Sequence, residues 1–250
     1  ILKTDQDNAL LLRDGFEWPG LEQIAARFNA ALAELGYPPC PGNIMLTNPL
    51  WRQPLASFKE TLRGWIYGHD PEAPMHLAIF IDSHAVAGDE RLLDEARDYL
   101  DRILVGSDSF LARFAAAIDL FDDSPSWWQR LTKQRDDQPL DLKKLGTFPI
   151  VHGVRALALE HGLTETTTVQ RIARLVQANV LREDFGRDLT QSFNFLRGLK
   201  LDRQLAEQVA RGSIRGASLT TADRDLLRES FKVVKQFRDF LRRHYNFAMF

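Results

Sequence analysis

Thr4-Asp5-Gln6-Asp7-Asn8 runs directly into the apolar segment Ala9-Leu10-Leu11-Leu12. An acid–x–acid pair ahead of a short apolar run constrains the fold, because successive side chains of an extended chain alternate faces and Asp5 and Asp7 then share one. Two carboxylates held close together repel, and such a pair persists mainly where a divalent cation neutralises it. Oxygen-only ligands suit Mg²⁺, which binds through one or two carboxylates and keeps positions for substrate phosphates. The plain structural alternative is a solvated, Asx-rich turn leading into a buried strand.

The first half of the chain reads as strand and helix together. Residues 5–12 are predicted to form a strand that ends at the turn signal Arg13-Asp14-Gly15. Leu21, Ile24, Ala25, Phe28, Ala31, Leu32 and Leu35 follow helical spacing, and Gly36 with Pro38-Pro39 stops that helix. Cys40 to Pro49 is too rich in Pro, Gly and Asn for a regular element. Asn43 and Asn48 in this loop either contact a ligand or cap their own backbone. Trp51 to Ile66 is predicted to be helical, with Leu55, Phe58, Leu62 and Trp65 on one face. Leu77-Ala78-Ile79-Phe80-Ile81 is predicted to be a buried strand that delivers Asp82 at its end. An acid there is costly to bury unless it is paired or metal-bound, which makes Asp82 a candidate third carboxylate beside the Asp5–Asp7 strand.

From Arg91 onward the pattern is helical. Leu92, Leu93, Ala96, Leu100, Ile103 and Leu104 make one face of a connecting helix, and Gly106-Ser107-Asp108-Ser109 starts the next, from Phe110 to Phe121. Trp127-Trp128 covers core or lines a crevice. No strand signal interrupts Pro149 to Phe250, so an antiparallel bundle is the natural solution. Asp141, Lys143, Arg155, Thr168 and Arg171 are polar residues at otherwise apolar helical positions and are candidates to line a cleft, although a charge on a helix is usually a solvated face. The basic segment Lys232 to Arg243 is the exposed side of a helix carrying Phe231, Val234, Phe237 and Leu241.

Three blocks in order, Thr4-Asp5-Gln6-Asp7-Asn8-Ala9, Cys40-Pro41-Gly42-Asn43-Ile44-Met45 and Phe80-Ile81-Asp82-Ser83-His84-Ala85-Val86-Ala87-Gly88-Asp89, carry a resemblance. The chain resembles the bacterial nucleotidyltransferases related to the protein-PII uridylyltransferase, within the superfamily of DNA polymerase β and kanamycin nucleotidyltransferase. The similarity extends block by block through the helical half, for example at Arg155-Ala156-Leu157-Ala158-Leu159 and Thr168-Val169-Gln170-Arg171-Ile172. It implies an α+β chain: a partial nucleotidyltransferase α/β domain over residues 1–105, then an all-α substrate-binding domain over 106–250. It further implies transfer of a nucleoside monophosphate from ATP or UTP to an acceptor, a protein in the uridylyltransferase case, with a role in signal transduction. Asp5, Asp7 and Asp82 would be the catalytic, metal-binding acids for Mg²⁺ or Mn²⁺. Asn8, Asn43, His84, Asp141, Lys143, Arg155, Thr168 and Arg171 would contact nucleotide or substrate.

Two departures stand out. The Gly-Ser turn that cradles the triphosphate in the superfamily does not precede Thr4, because the chain begins at Ile1 without Met. The sequence therefore reads as a fragment with little activity of its own, and CBS or cyclic-nucleotide-binding sensor domains are expected upstream. His84 stands where the family often has Arg.

Composition is consistent with this assignment. The 250 residues suit one large or two ordinary domains, and 32 Lys plus Arg against 34 Asp plus Glu leave a net charge of −2 that gives no support to broad nucleic-acid binding. A single Cys, Cys40, fits a reducing, cytoplasmic setting, and no apolar run approaches the ~20 residues that span a bilayer. Two other functions stay open on the sequence. One is a regulatory module that binds nucleotide without turnover. The other is a ribonuclease of the HEPN type, whose Arg–His spacing is matched by Arg155 with His161 and by Arg238 with His244.

Overall fold

The computed structural model describes residues 4–119, 141–210 and 220–247. Two compact units emerge, Ile1–Leu77 with Ser83–Gly106, and Ala78–Asp82 with Ser107–Phe250. The segment Trp127-Trp128, and the end of the helix expected to reach Phe121, lie outside the described residues.

The first unit is built on a βαβ crossover. Strand β1 (Leu10–Leu12) pairs in parallel with β2 (Arg52–Pro54), in the register Leu10 to Arg52 and Leu12 to Pro54, and helix α1 (Leu21–Glu34) lies in the connection. An isolated parallel bridge joins Gln6 to Pro39. Helix α1 ends where Gly36 takes φ +95°, a left-handed conformation that costs glycine nothing. Helix α2 (Leu55–Tyr67) starts directly after Pro54, and its Ala56 N–H donates to Asp14 Oδ1 at 2.8 Å. The turn after β1 therefore supplies the N-terminal cap of α2. On its inner face α2 buries Leu55, Phe58, Leu62, Trp65 and Ile66 against α4 (Arg91–Leu104), which buries Ala96, Leu100 and Leu104. Trp51 meets Trp65 with ring centroids 5.8 Å apart, and His76 packs against both.

The second unit is helical. It comprises α5 (Asp108–Ala116), a 3₁₀ turn (Ala117–Asp119), a π turn (Lys143–Thr147), α6 (Phe148–Glu160), α7 (Thr168–Gln177), α8 (Glu183–Ala210) and α9 (Thr221–His244). Helix α6 contacts α5, α7, α9 and both short turns. It is apolar on nearly every side, burying Pro149, Ile150, His152, Gly153, Val154, Ala156, Leu157 and Ala158, as expected of a helix at the centre of its unit. A full capping box starts α9: Thr220 Oγ1 accepts from Asp223 N, and Asp223 Oδ2 accepts from Thr220 N, both at 3.1 Å. Arg242, Arg243 and His244 fill its last turn, where positive charge complements the helix dipole. Among the described residues every regular element after Pro149 is helical, as the periodicity predicts.

Three local expectations are corrected. Of the strand predicted over residues 5–12 only Leu10–Leu12 forms one; Asp5 and Asp7 precede it, flanking Gln6 at its isolated bridge. Leu77 to Ile81 is not a strand: Leu77–Phe80 ends helix α3 (Ala73–Phe80) and Ile81 lies in the turn after it. The start of α3 is fixed by Asp70, whose Oδ1 accepts from Glu72 N at 2.9 Å, and Pro74 sits in the first turn, where its missing N–H costs nothing. A short, wholly apolar run satisfies either element when it is buried all round. Helix α2 starts at Leu55 rather than Trp51, because Pro54 forces Gln53 out of the helical region and leaves Arg52–Pro54 extended as β2.

Helices α6 and α9 touch at Gly153. A Cβ there would lie 2.7 Å from Phe237 Cε1 and would also strike Leu241 Cδ1. Gly153→Ala is therefore expected to destabilise the helical unit by about 1–3 kcal/mol despite alanine's better helix propensity, measured by urea unfolding followed at 222 nm. An equal or higher midpoint would show that the two helices can separate without cost.

Candidate functional site

The Asp5–Asp7 segment alternates as its sequence dictates. Asp5 and Asp7 are exposed, whereas Gln6 between them is buried and Asn8 is half-buried. Gln6 Nε2 donates to the main-chain carbonyls of Asn29 at 3.1 Å and Tyr37 at 2.9 Å. Asn29 Nδ2 donates to Gln6 Oε1 and, at 3.1 Å, to Asn8 Oδ1, which also accepts from Leu46 N at 3.0 Å. The backbone adds Gln6 N to Pro38 O at 3.1 Å and Asn8 N to Ile44 O at 3.0 Å. The inward residues thus pin the segment ahead of β1 to α1 and to the loop before Asn48, leaving the two carboxylates exposed. Cys40, from that loop, hydrogen-bonds Asp7, and its thiol pKa is raised by burial and by this carboxylate.

Asp5 and Asp7 fit a hard divalent cation: they are oxygen donors, accessible, and carried by an anchored segment whose intervening residue, Gln6, is buried. Among the described residues no three His, Cys, Asp or Glu side chains come together as a metal cluster. Two carboxylates with open positions are the arrangement Mg²⁺ uses when substrate phosphates complete its shell.

Asp82 does not end a strand: it follows α3 and belongs to the helical unit. There it meets two other candidates. Arg171 Nη1 donates to Asp82 Oδ1 at 2.6 Å and Nη2 to the Ile81 carbonyl at 3.2 Å. Arg155 donates to Oδ2 from Nε at 3.0 Å and also from Nη2. The Arg171 side chain is 3% exposed, that of Arg155 19% and that of Asp82 28%. Arg171 Nε is buried without a hydrogen-bond partner.

One turn before Arg155 on α6, His152 is stacked between Phe114 and Phe148, with Nε2 2.6 Å from the Phe114 carbonyl. Burial lowers its pKa from 6.5 to about 4, against the opposing pull of that carbonyl, and Arg155 adds to the depression. His152 is therefore neutral at pH 7 and donates through Nε2.

The remaining candidates are scattered. Asn43 is exposed at φ +54°, Asn48 Oδ1 accepts from Leu50 N at 3.0 Å, and His84 is exposed in the loop after α3. Asp141 Oδ1 accepts from the backbone N–H of Lys143 and Lys144, both at 3.0 Å, so it caps the π turn. Lys143 is exposed and Thr168 is the first residue of α7. Both ribonuclease-type pairs include residues that tie segments together: Arg155 on Asp82, Arg238 donating to the Ile118 carbonyl at 2.7 Å, and His244 on Glu160 at 2.8 Å.

Gln6, Asn29 and Cys40 are the residues around Asp5 and Asp7 that sequence reasoning missed. Gln6 carried a signal, since strand alternation places it opposite the acids. For Asn29, a polar residue on the inner face of α1, the only mark was an interruption of the apolar stripe.

Two family models match the chain. "Putative nucleotidyltransferase DUF294" covers residues 1–72, and "Putative nucleotidyltransferase substrate binding domain" covers residues 108–245. No curated protein and no solved structure matches it significantly. Among the described residues no helix is long and apolar enough to cross a membrane.

The depressed pKa of His152 sets a pH dependence. The unfolded chain takes up this proton near pH 6.5 and the folded chain only near pH 4, so this stability is complete above 6.5 and falls through that window. The loss reaches about 3 kcal/mol, and His152→Gln should flatten the slope of unfolding free energy against pH there. An unchanged slope would refute the assignment. In the first unit, Asn29→Ala should cost about 1–3 kcal/mol in thermal unfolding by removing the short bond to Gln6 Oε1 and one of the two donors to Asn8 Oδ1. A neutral effect would mean the segment does not depend on the amide network.

Proposed function

This chain belongs to the nucleotidyltransferase family that both models describe, and we propose that its reaction is metal-dependent transfer of a nucleoside monophosphate from ATP or UTP to an acceptor hydroxyl. The observation that carries this reading is the exposure of both Asp5 and Asp7 on the segment ahead of β1, pinned from its buried side by Gln6, Asn8 and Asn29. The acceptor oxygen bonds to the α-phosphorus, the bond to the bridging oxygen breaks, pyrophosphate leaves, and the hydroxyl proton passes to solvent.

Asp5 and Asp7 would hold the ion, Mg²⁺ or Mn²⁺, which when bound supplies positive charge for the triphosphate and for the oxygens that gain charge in an in-line displacement. The protein's own contribution is preorganisation. Because the amide network fixes the backbone, the carboxylates meet their ligand without first ordering the segment. Cys40 donates its thiol proton to Asp7 and remains a thiol at neutral pH. Asp82 is not carried forward as a third acid of this set, since both its oxygens accept from arginine.

The test is a Mn²⁺ titration followed by electron paramagnetic resonance, together with pyrophosphate release from ATP and UTP, both on the full-length protein. Asp5→Asn and Asp7→Asn are each expected to weaken Mn²⁺ binding at least about tenfold and to abolish metal-dependent release, with circular dichroism unchanged. Binding and release indifferent to both substitutions would remove the case for transfer at this segment. Nucleotide binding without release, in the wild type and across acceptors, would instead favour a regulatory module.

A further inference from the structure

We propose that Arg155 and Arg171 form a phosphate-binding site, held in this structure by the chain's own Asp82 carboxylate. The inference deepens the nucleotidyltransferase reading and rests on it for the class of ligand, a phosphate group of the nucleotide substrate.

Charge comes first. Two guanidinium groups converge on one carboxylate, so one positive charge is left over, and the adjoining titratable group, His152, is neutral at pH 7. Arg171 carries its charge almost completely buried, which is tolerable only while it is paired. A phosphate bearing two negative charges matches the pair better than a carboxylate does.

Geometry comes second. Asp82 divides its oxygens, Oδ1 to Arg171 and Oδ2 to Arg155, so the two guanidiniums bracket a small oxyanion from two helices, α7 and α6. Arg171 keeps a buried Nε donor that nothing satisfies. A phosphate offers three oxygens where Asp82 offers two, and guanidinium forks suit tetrahedral oxyanions as well as planar ones.

Access comes third. Asp82 is 28% exposed and Arg155 19%, so the carboxylate can leave to water and an anion can enter without unfolding the bundle. Asp82 also sits two residues beyond the end of α3, in a turn outside any regular element, and its departure breaks no helix. The carboxylate acts as an internal competitor that keeps a buried arginine paired until substrate replaces it.

The experiment follows the arginine Nε–H signals of the 250-residue chain by nitrogen–proton NMR, without divalent metal and at constant ionic strength. The probes are pyrophosphate, ATP and adenosine. Pyrophosphate and ATP are expected to shift the Arg155 and Arg171 signals, and adenosine to leave them in place. Asp82→Asn should tighten pyrophosphate binding at least about tenfold by removing the competitor, and Arg155→Gln should abolish it. Asp82→Asn leaves buried positive charge unpaired and can fail to fold. Arg155→Gln keeps the Arg171–Asp82 pair, so undiminished pyrophosphate binding by that variant overturns the proposal on its own. So does a wild type whose signals ignore pyrophosphate, a folded Asp82→Asn that binds no tighter, or adenosine acting like ATP. Because no metal or turnover is involved, the Asp5 and Asp7 substitutions leave this binding unchanged. Loss of the phosphate site and loss of transfer at the Asp5–Asp7 segment are thus separate results.

Discussion

The helical unit depends on the approach of α6 to α9 at Gly153. That close contact lets Phe237 and Leu241 lie directly on the α6 backbone, and the remaining helices take positions around it. A helix buried on every side has no face on which to place polar groups at random. The ones it carries are therefore specific: His152, neutral and donating to a carbonyl, and Arg155, turned to Asp82. The polar arrangement of the unit follows from the packing, because an unpaired buried charge costs more than the packing returns.

In the first unit the constraint is the period of two. The segment ahead of β1 carries two jobs without compromise, since amides at even positions hold it and carboxylates at odd positions are exposed. The same alternation made Asp5 and Asp7 legible from the sequence, and the helical periods of α1, α4 and the bundle were legible for an equivalent reason. What was not legible divides into two kinds. Leu77–Ile81 is apolar at every position and so shows neither alternation nor stripe, and only the Asp70 cap and Pro74 distinguished helix from strand. The three residues of β2 are too few to show a period, and only Pro54 marked them.

Partnership of side chains was the other hidden layer. Asp82, Arg155 and Arg171 were each visible as polar residues in apolar surroundings, but 73 and 89 residues of chain separate the acid from its two partners. Periodicity describes which face a residue takes, and it carries no information about which distant residue shares that face. Misplacing Asp82 on a strand followed directly: an acid after an apolar run is costly to bury unpaired, and its partner was sought in a metal rather than in two arginines.

The ties at the end of α9 bear on when this unit can exist at all. Arg238 and Arg242 reach back 120 and 123 residues to Ile118 and Asp119, and His244 with Tyr245 reaches Glu160, 84 and 85 residues earlier. These contacts close long loops and involve the last turns of α9. During synthesis the earlier helices must therefore wait, with apolar faces uncovered, until α9 has left the ribosome. The unit closes only when that helix arrives, and the interval before is when it most needs protection from other chains.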